Sequence, residues 1–280
     1  VSEPVALLNA WLDRQLDAPA RAWLDERRAR LAAPHGDRDL YMAVGLVPRA
    51  LGKDDLRLDA GDLAAAHAAR AGWDPTGLSV DQAARLALVL TANHRGEAFF
   101  AAFHELWRTA DVGEQVTFYK GLPLYPAPER FVWRATDGCR TSIRAVFEAI
   151  AHRNPYASER FDEVAWNQMC LKALFAGATL HPIVGLDARH NAALARMMAD
   201  YAFERWAARR PVSWELWRCV GPHPDARALE ALARAVHDPE ALTSRAARLA
   251  ATLSHVAAAR ALASVASTDT WAALALTASP

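Results

Sequence analysis

A chain of 280 residues that is 52% apolar holds ample material for a packed core, so disorder is not its default state. Lysine plus arginine equals aspartate plus glutamate at 32 each, and a formal charge of zero leaves no global field to recruit nucleic acid or an anionic membrane. Cys139, Cys170 and Cys219 are widely spaced with no C-x-x-C, which argues against a disulfide framework or a zinc knuckle and suits a reducing cytoplasm.

Isoleucine occurs only at Ile143, Ile150 and Ile183, whereas Ala, Leu and Arg recur throughout. Helix formers dominate, so the expected fold is all-α: a multi-helix bundle or an irregular, HEAT-like α-α superhelix in a single globular unit. No apolar run reaches the roughly 18 residues of a membrane span. The first stretch, VSEPVALLNAWLDRQ, is acidic and amphipathic, unlike a signal peptide.

In chain order, residues 4–32 carry Leu7, Leu8, Trp11, Leu12, Leu16, Trp23, Leu24 and Leu31 at helical spacing, with Pro19 dividing two helices. LYMAVGLVPRALG and DAGDLAAAHAARAG follow, closed by Gly72 and Pro75. LSVDQAARLALVLTA opens with Ser79 and, three residues on, Gln82, the pattern of a capping box. Then come HRGEAFFAAFHELWRTA, VGEQVTFYKGL and the Pro-rich turn PLYPAPER, which marks a boundary between an N-terminal support region (1–122) and a C-terminal region (123–280). Helices are expected beyond it near 128–135, 139–152, 160–176, 188–209, 213–220, 225–237 and 241–263, with a last one at TWAALALT. No fixed-period repeat of the tetratricopeptide or ankyrin type is present.

Polar chemistry concentrates in the second half. In WNQMCLKALF (166–175), helical periodicity puts Gln168 and Lys172 beside Phe161, Val164, Leu171 and Phe175, and Asn167 between Leu171 and Leu174. All three polar side chains are thus expected inside the apolar surface, where each needs a partner. In HNAALARMMADYAFERWAARR (190–210), Asp200 and Glu204 lie one turn apart on the flank of a stripe that contains Arg205. Two like charges at that spacing repel, which calls for a shared cation from Lys172, a neighbour of Arg205, or a bound metal or cationic ligand. A structural salt-bridge network between packed helices is the plainer reading.

The connecting segment HPIVGLDARHN offers His181, Asp187 and His190 as metal donors, but their spacing fits no zincin pattern, and Asp187 reads first as a helix cap. His94, Glu97, His104 and Glu105 read as the solvated face of a helix whose other face is Phe99, Phe103, Leu106 and Trp107. In RRPVSWELWRCVGP, Ser213 reads as the cap, Glu215 as a first-turn acid and Gly221-Pro222 as the stop, and Trp214, Trp217 and Arg218 are expected on the surface. HRNPYASERF is a helix end, with Asn154 before Pro155. The Walker, G-x-G-x-x-G, G-x-S-x-G and HExxH signatures are all absent from the sequence.

Taken in order, NPY, WNQM-LK, GLD-R-N, DYA-ERWAA-R and ELWR-VG resemble the EboA family, closely over 139–222 and loosely over 79–237. This chain departs from the family pattern at His190 and Phe203. The resemblance carries Arg140 and, as candidate ligand-binding residues, Asn154, Asn167, Lys172, Asp187, Arg189, Asn191, Asp200, Glu204, Arg205 and Arg218. It implies a bacterial protein of secondary-metabolite assembly or precursor trafficking, encoded with a UbiA-type prenyltransferase, a TatD-like hydrolase and sugar-phosphate-isomerase-like proteins. No reaction or cofactor follows from it. The expected function is a non-enzymatic helical scaffold or small-metabolite carrier with a concave site near 154–218. The alternative is an enzyme using Asp200 and Glu204 with Lys172 or Arg205, metal-assisted or not. A third reading is a structural module that presents a flat, Trp-rich patch to a complex.

Overall fold

The computed structural model describes residues 3–92, 96–263 and 266–278. These residues are all-α, with an isolated bridge pairing Asp55 with Ser79. None of the described helices is long and apolar enough to cross a membrane. The chain divides into two compact units, Val1–Ala157 and Ser158–Pro280. The Pro-rich 121–128 turn lies inside the first unit.

The first unit contains α1 (Pro4–Gln15), α2 (Ala18–Ala32), α3 (Asp37–Leu51), α4 (Ala60–Ala69), α5 (Val80–Thr91), α6 (Glu97–Arg108), α7 (Val112–Lys120), α8 (Val132–Gly138) and α9 (Arg144–Ala151). Its centre is α5, packed by α1, α2, α3 and α7 and apolar on nearly every face. Gln82 reaches back to the Ser79 amide, as the capping box requires. Asp81 and Arg85 are the charged exceptions: they are buried one turn apart and paired at 3.1 Å. Arg85 also answers a backbone need. Pro48, inside α3, has no N–H for the carbonyl of Val44, and Arg85 Nε donates to that oxygen at 3.3 Å. On α6, Phe99, Phe103, Leu106 and Trp107 are buried as expected, while Glu97 pairs with Arg130 and Glu105 with Arg108 on the outside. His94 lies outside the described residues.

The short α10 (Tyr156–Arg160) spans the division. The second unit then holds α11 (Glu163–Phe175), α12 (Ala192–Ala207), α13 (Leu216–Val220), α14 (Ala226–Ala235), α15 (Ala241–Thr252), α16 (Ala257–Arg260) and α17 (Trp271–Ala278). α12 packs on α11, α13 and α14, and α15 on α13, α14, α16 and α17. Gly221 permits the closest approach. A Cβ there would stand 2.6 Å from the carbonyl oxygen of Ala250.

Several sequence expectations change here. The helix expected over 241–263 is broken after Thr252, where the Ser254 hydroxyl accepts from the Val256 amide and starts a new turn. The helix expected from 188 starts at 192, and its cap is Asn191, not Asp187. Trp217 is fully buried and not a surface residue.

Candidate functional site

WNQMCLKALF resolves into two faces. The buried face of α11 is Trp166, Asn167, Met169, Cys170 and Ala173, while Gln168 is exposed and Lys172 half-exposed. Of the four apolar companions assigned to those two, Val164 and Phe175 are themselves 64% and 60% exposed. Of the other two, Phe161 is buried and Leu171 half-exposed, so the stripe turns outward at Val164, Gln168 and Phe175. Only Asn167 is a buried amide, and its partner is another amide: Asn167 Nδ2 donates to Asn191 Oδ1 at 3.1 Å and Asn191 Nδ2 to Asn167 Oδ1 at 2.9 Å. Asn191 Oδ1 also accepts from the Leu194 amide, so one contact caps α12 and fixes it on α11. Arg189 clamps the start of α11 by donating to the carbonyls of Ser158 and Phe161 and lies over the Trp166 ring. The bend that brings it there contains Gly185 at φ +78, with Ser158 Cβ 2.7 Å from where a side chain would start.

Asp187, instead of capping a helix, accepts a bidentate pair from Arg218 at 2.6 and 2.7 Å. Burial alone would raise its pKa, but the Arg218 hydrogen bonds and charge hold it below the usual carboxylate value. His190 Nε2 stands 3.8 Å from Asp187 Oδ1. Burial drives its pKa down to about 4 against the pull of Asp187. Among the described residues no three His, Cys, Asp or Glu side chains gather as a metal set.

The expected cation for Asp200 and Glu204 takes another form. Asp200 pairs with Arg227 from α14, a residue outside the motif, and Arg227 also lies over Phe203. Arg205 donates to the Pro211 carbonyl at 2.9 Å, and Glu204 is exposed. The structure therefore joins Asn167, Asn191 and Arg189 in one cluster and Asp187, Arg218 and His190 in a second. It does not join Asp200 or Glu204 to Lys172 or Arg205.

Asn154 belongs to the first unit and is buried. Its Nδ2 donates to the carbonyls of Tyr119 and Ala149 at 2.9 and 3.0 Å, and its Oδ1 accepts from the Tyr156 amide. It ties the end of α7 to the end of α9 and lines a hollow of about 270 Å³ between them and the 73–78 loop. Its apolar lining includes Leu86, Val116, Ala145 and Ala149, and its charged or titratable groups are Asp74, Lys120, Glu148, His152 and Arg153. Lys120 Nζ donates to Gly77 O at 2.9 Å and Gln82 Oε1 at 3.0 Å, which occupies two of the three N–H groups of an ammonium. Burial, helped by Arg153, lowers the pKa of Lys120. Arg153 sits at φ +50, a strained backbone for a long side chain, 3.5 Å from Asp74.

Sequence reading missed two of these features. Lys120 had a faint signal, since it follows Val116 by one turn in a segment whose neighbours Phe118 and Tyr119 are core. Glu215 was read only as a first-turn acid, and nothing local signalled its part in the fold: its buried carboxylate accepts from the amides of Leu180 and His181 at 2.9 and 2.8 Å. Burial keeps its pKa above the ordinary value despite both amides.

Searches among curated proteins and among solved structures found no match. A family model described as metabolite traffic protein EboA matches residues 5–221, which takes in the hollow of the first unit and the Asn167 and Asp187 clusters of the second. That match covers well over half of the chain, which therefore belongs to the EboA family.

Proposed function

We propose that the protein is a non-enzymatic carrier or scaffold for a small metabolite, and that the guest sits in the hollow beside Lys120 and Asn154. The carrying observation is the lining of that hollow. Apolar side chains line it together with two cationic residues, Lys120 and Arg153, and two acidic ones, Asp74 and Glu148. Such a surround suits a compact polar or zwitterionic molecule. The family description, metabolite traffic protein, supports the same direction. In this reading Lys120 gives its remaining N–H to the guest.

The other family-pattern residues divide by role. Asn167, Asn191, Arg189, Asp187 and Arg218 hold the second unit in shape, and Lys172, Asp200, Glu204 and Arg205 present charge at its surface to partners. The setting proposed is the bacterial cytoplasm, in secondary-metabolite assembly or precursor movement, with partner enzymes such as a UbiA-type prenyltransferase or a TatD-like hydrolase. An enzyme site on Asp200 and Glu204 has less support, because Arg227 already neutralises Asp200 and no cation of the proposed set pairs with either acid.

Native mass spectrometry of gently purified protein, compared with a denatured sample, tests the carrier reading. A co-purifying small molecule that is lost from a folded Lys120→Met variant is the expected result. A bare chain, or a guest held equally by the variant, would sink it.

A further inference from the structure

A second concavity of about 370 Å³ lies elsewhere in the first unit, between α6 and the 130–134 stretch, with Phe100, His104, Trp107, Arg130, Trp133 and Arg134 in its wall. Its two arginines differ. Arg130 is spoken for: Glu97 takes it in a two-point pair, and its guanidinium lies 3.7 Å from the centre of the Phe100 ring. Arg134 lies 5.0 Å from the centre of Trp107 and 4.6 Å from that of Trp133, and no carboxylate pairs with it among the described residues. A guanidinium held by two indoles has a restricted geometry and keeps its in-plane N–H groups for an acceptor. Trp133 is 58% exposed, a large apolar ring left at the mouth of the cleft.

We propose that this cleft is a binding site for a small molecule with a flat apolar body and one anionic group, the body stacking on Trp133 and the anion meeting Arg134. The two requirements fall on different side chains. Trp133, Phe100 and Trp107 provide the apolar walls, and Arg134 provides a cation that no carboxylate takes in a close ion pair among the described residues, Asp137 acting on it only through its charge. A cationic guest is disfavoured by the same charge.

Isothermal titration calorimetry with 2-naphthoate, its neutral isostere 2-naphthamide, and acetate reads both requirements. Naphthoate should bind one per chain, with the amide and acetate each at least ten-fold weaker. Arg134→Gln should cost naphthoate ten-fold or more and leave the amide unchanged. Trp133→Ala, at an exposed position, should weaken both aromatic probes while the melting temperature holds. Equal affinity for naphthoate and the amide, or an Arg134→Gln variant that binds naphthoate as the parent does, would overturn the proposal. Lys120→Met separates this site from the hollow. If that substitution abolishes naphthoate binding and Arg134→Gln does not, the cleft is refuted and the carrier reading stands.

Discussion

At the residue scale, His190 shows how burial converts a side chain into a pH dependence. Its side chain is 9% exposed and its pKa is drawn down to about 4, whereas in the unfolded chain it titrates near ~6.5. The unfolded state therefore takes up the proton first as pH falls. The stability tied to the neutral imidazole is complete above ~6.5 and is lost on the way down to 4, up to about 3 kcal/mol at ~1.4 kcal/mol per unit. Urea unfolding of the parent and of His190→Gln at pH 7.5 and pH 4.5 checks the sign. The parent should lose more stability between the two than the variant, and parallel losses would assign the dependence to other groups. Asp187, 3.8 Å away and held ionised by Arg218, moderates this effect without reversing it.

Elements succeed or fail as readings according to which faces the neighbours cover. Helix positions were largely legible, because caps and breakers such as Ser79 with Gln82, Pro19 and Gly221 act locally. The orientation of α11 was not. With Val164, Leu171, Leu174 and Phe175 on one side and Trp166, Met169, Cys170 and Ala173 on the other, periodicity alone gives no unique inner face, and the packing of α12 through Asn191 decides it. Candidate sites were legible only where a local motif carried them. Asn154 was visible in NPY, whereas Lys120 meets Gly77 and Gln82 from about 40 residues away. Distant pairing also links α3 to α5, and it is measurable. Arg85→Leu leaves Asp81 buried without its partner and the Val44 carbonyl without a donor, a loss on the order of 3–5 kcal/mol. Adding Pro48→Ala restores an amide for Val44. In a double-mutant cycle by urea unfolding, Pro48→Ala should be about 1 kcal/mol more favourable on the Arg85→Leu background than on the parent, and zero coupling would detach Arg85 from the proline.

For the whole molecule, the scarcity of strand formers gave all-α correctly, since composition integrates over every element while local errors of face cancel. The family match ends at 221, but the core of the second unit does not. α12 is covered by α14, α13 by α15, and Gly221 itself lies against the backbone of Ala250. Asp200, within the matched region, takes its arginine from position 227, beyond it. Removing residues 222–280 would therefore uncover the apolar sides of α12 and α13, including Leu216, Trp217 and Val220, each fully buried. At about 25 cal/mol per Å² of apolar surface, uncovering even a few such side chains removes several kcal/mol, which is comparable to the whole stability of a typical domain. Hydrogen exchange on a chain cut after residue 221 is the discriminating measurement. Amides of α11–α13 should lose protection while those of α5 and α7 in the first unit keep theirs. Full protection of α12 in the truncated chain would mean that the matched region folds without the helices that follow it.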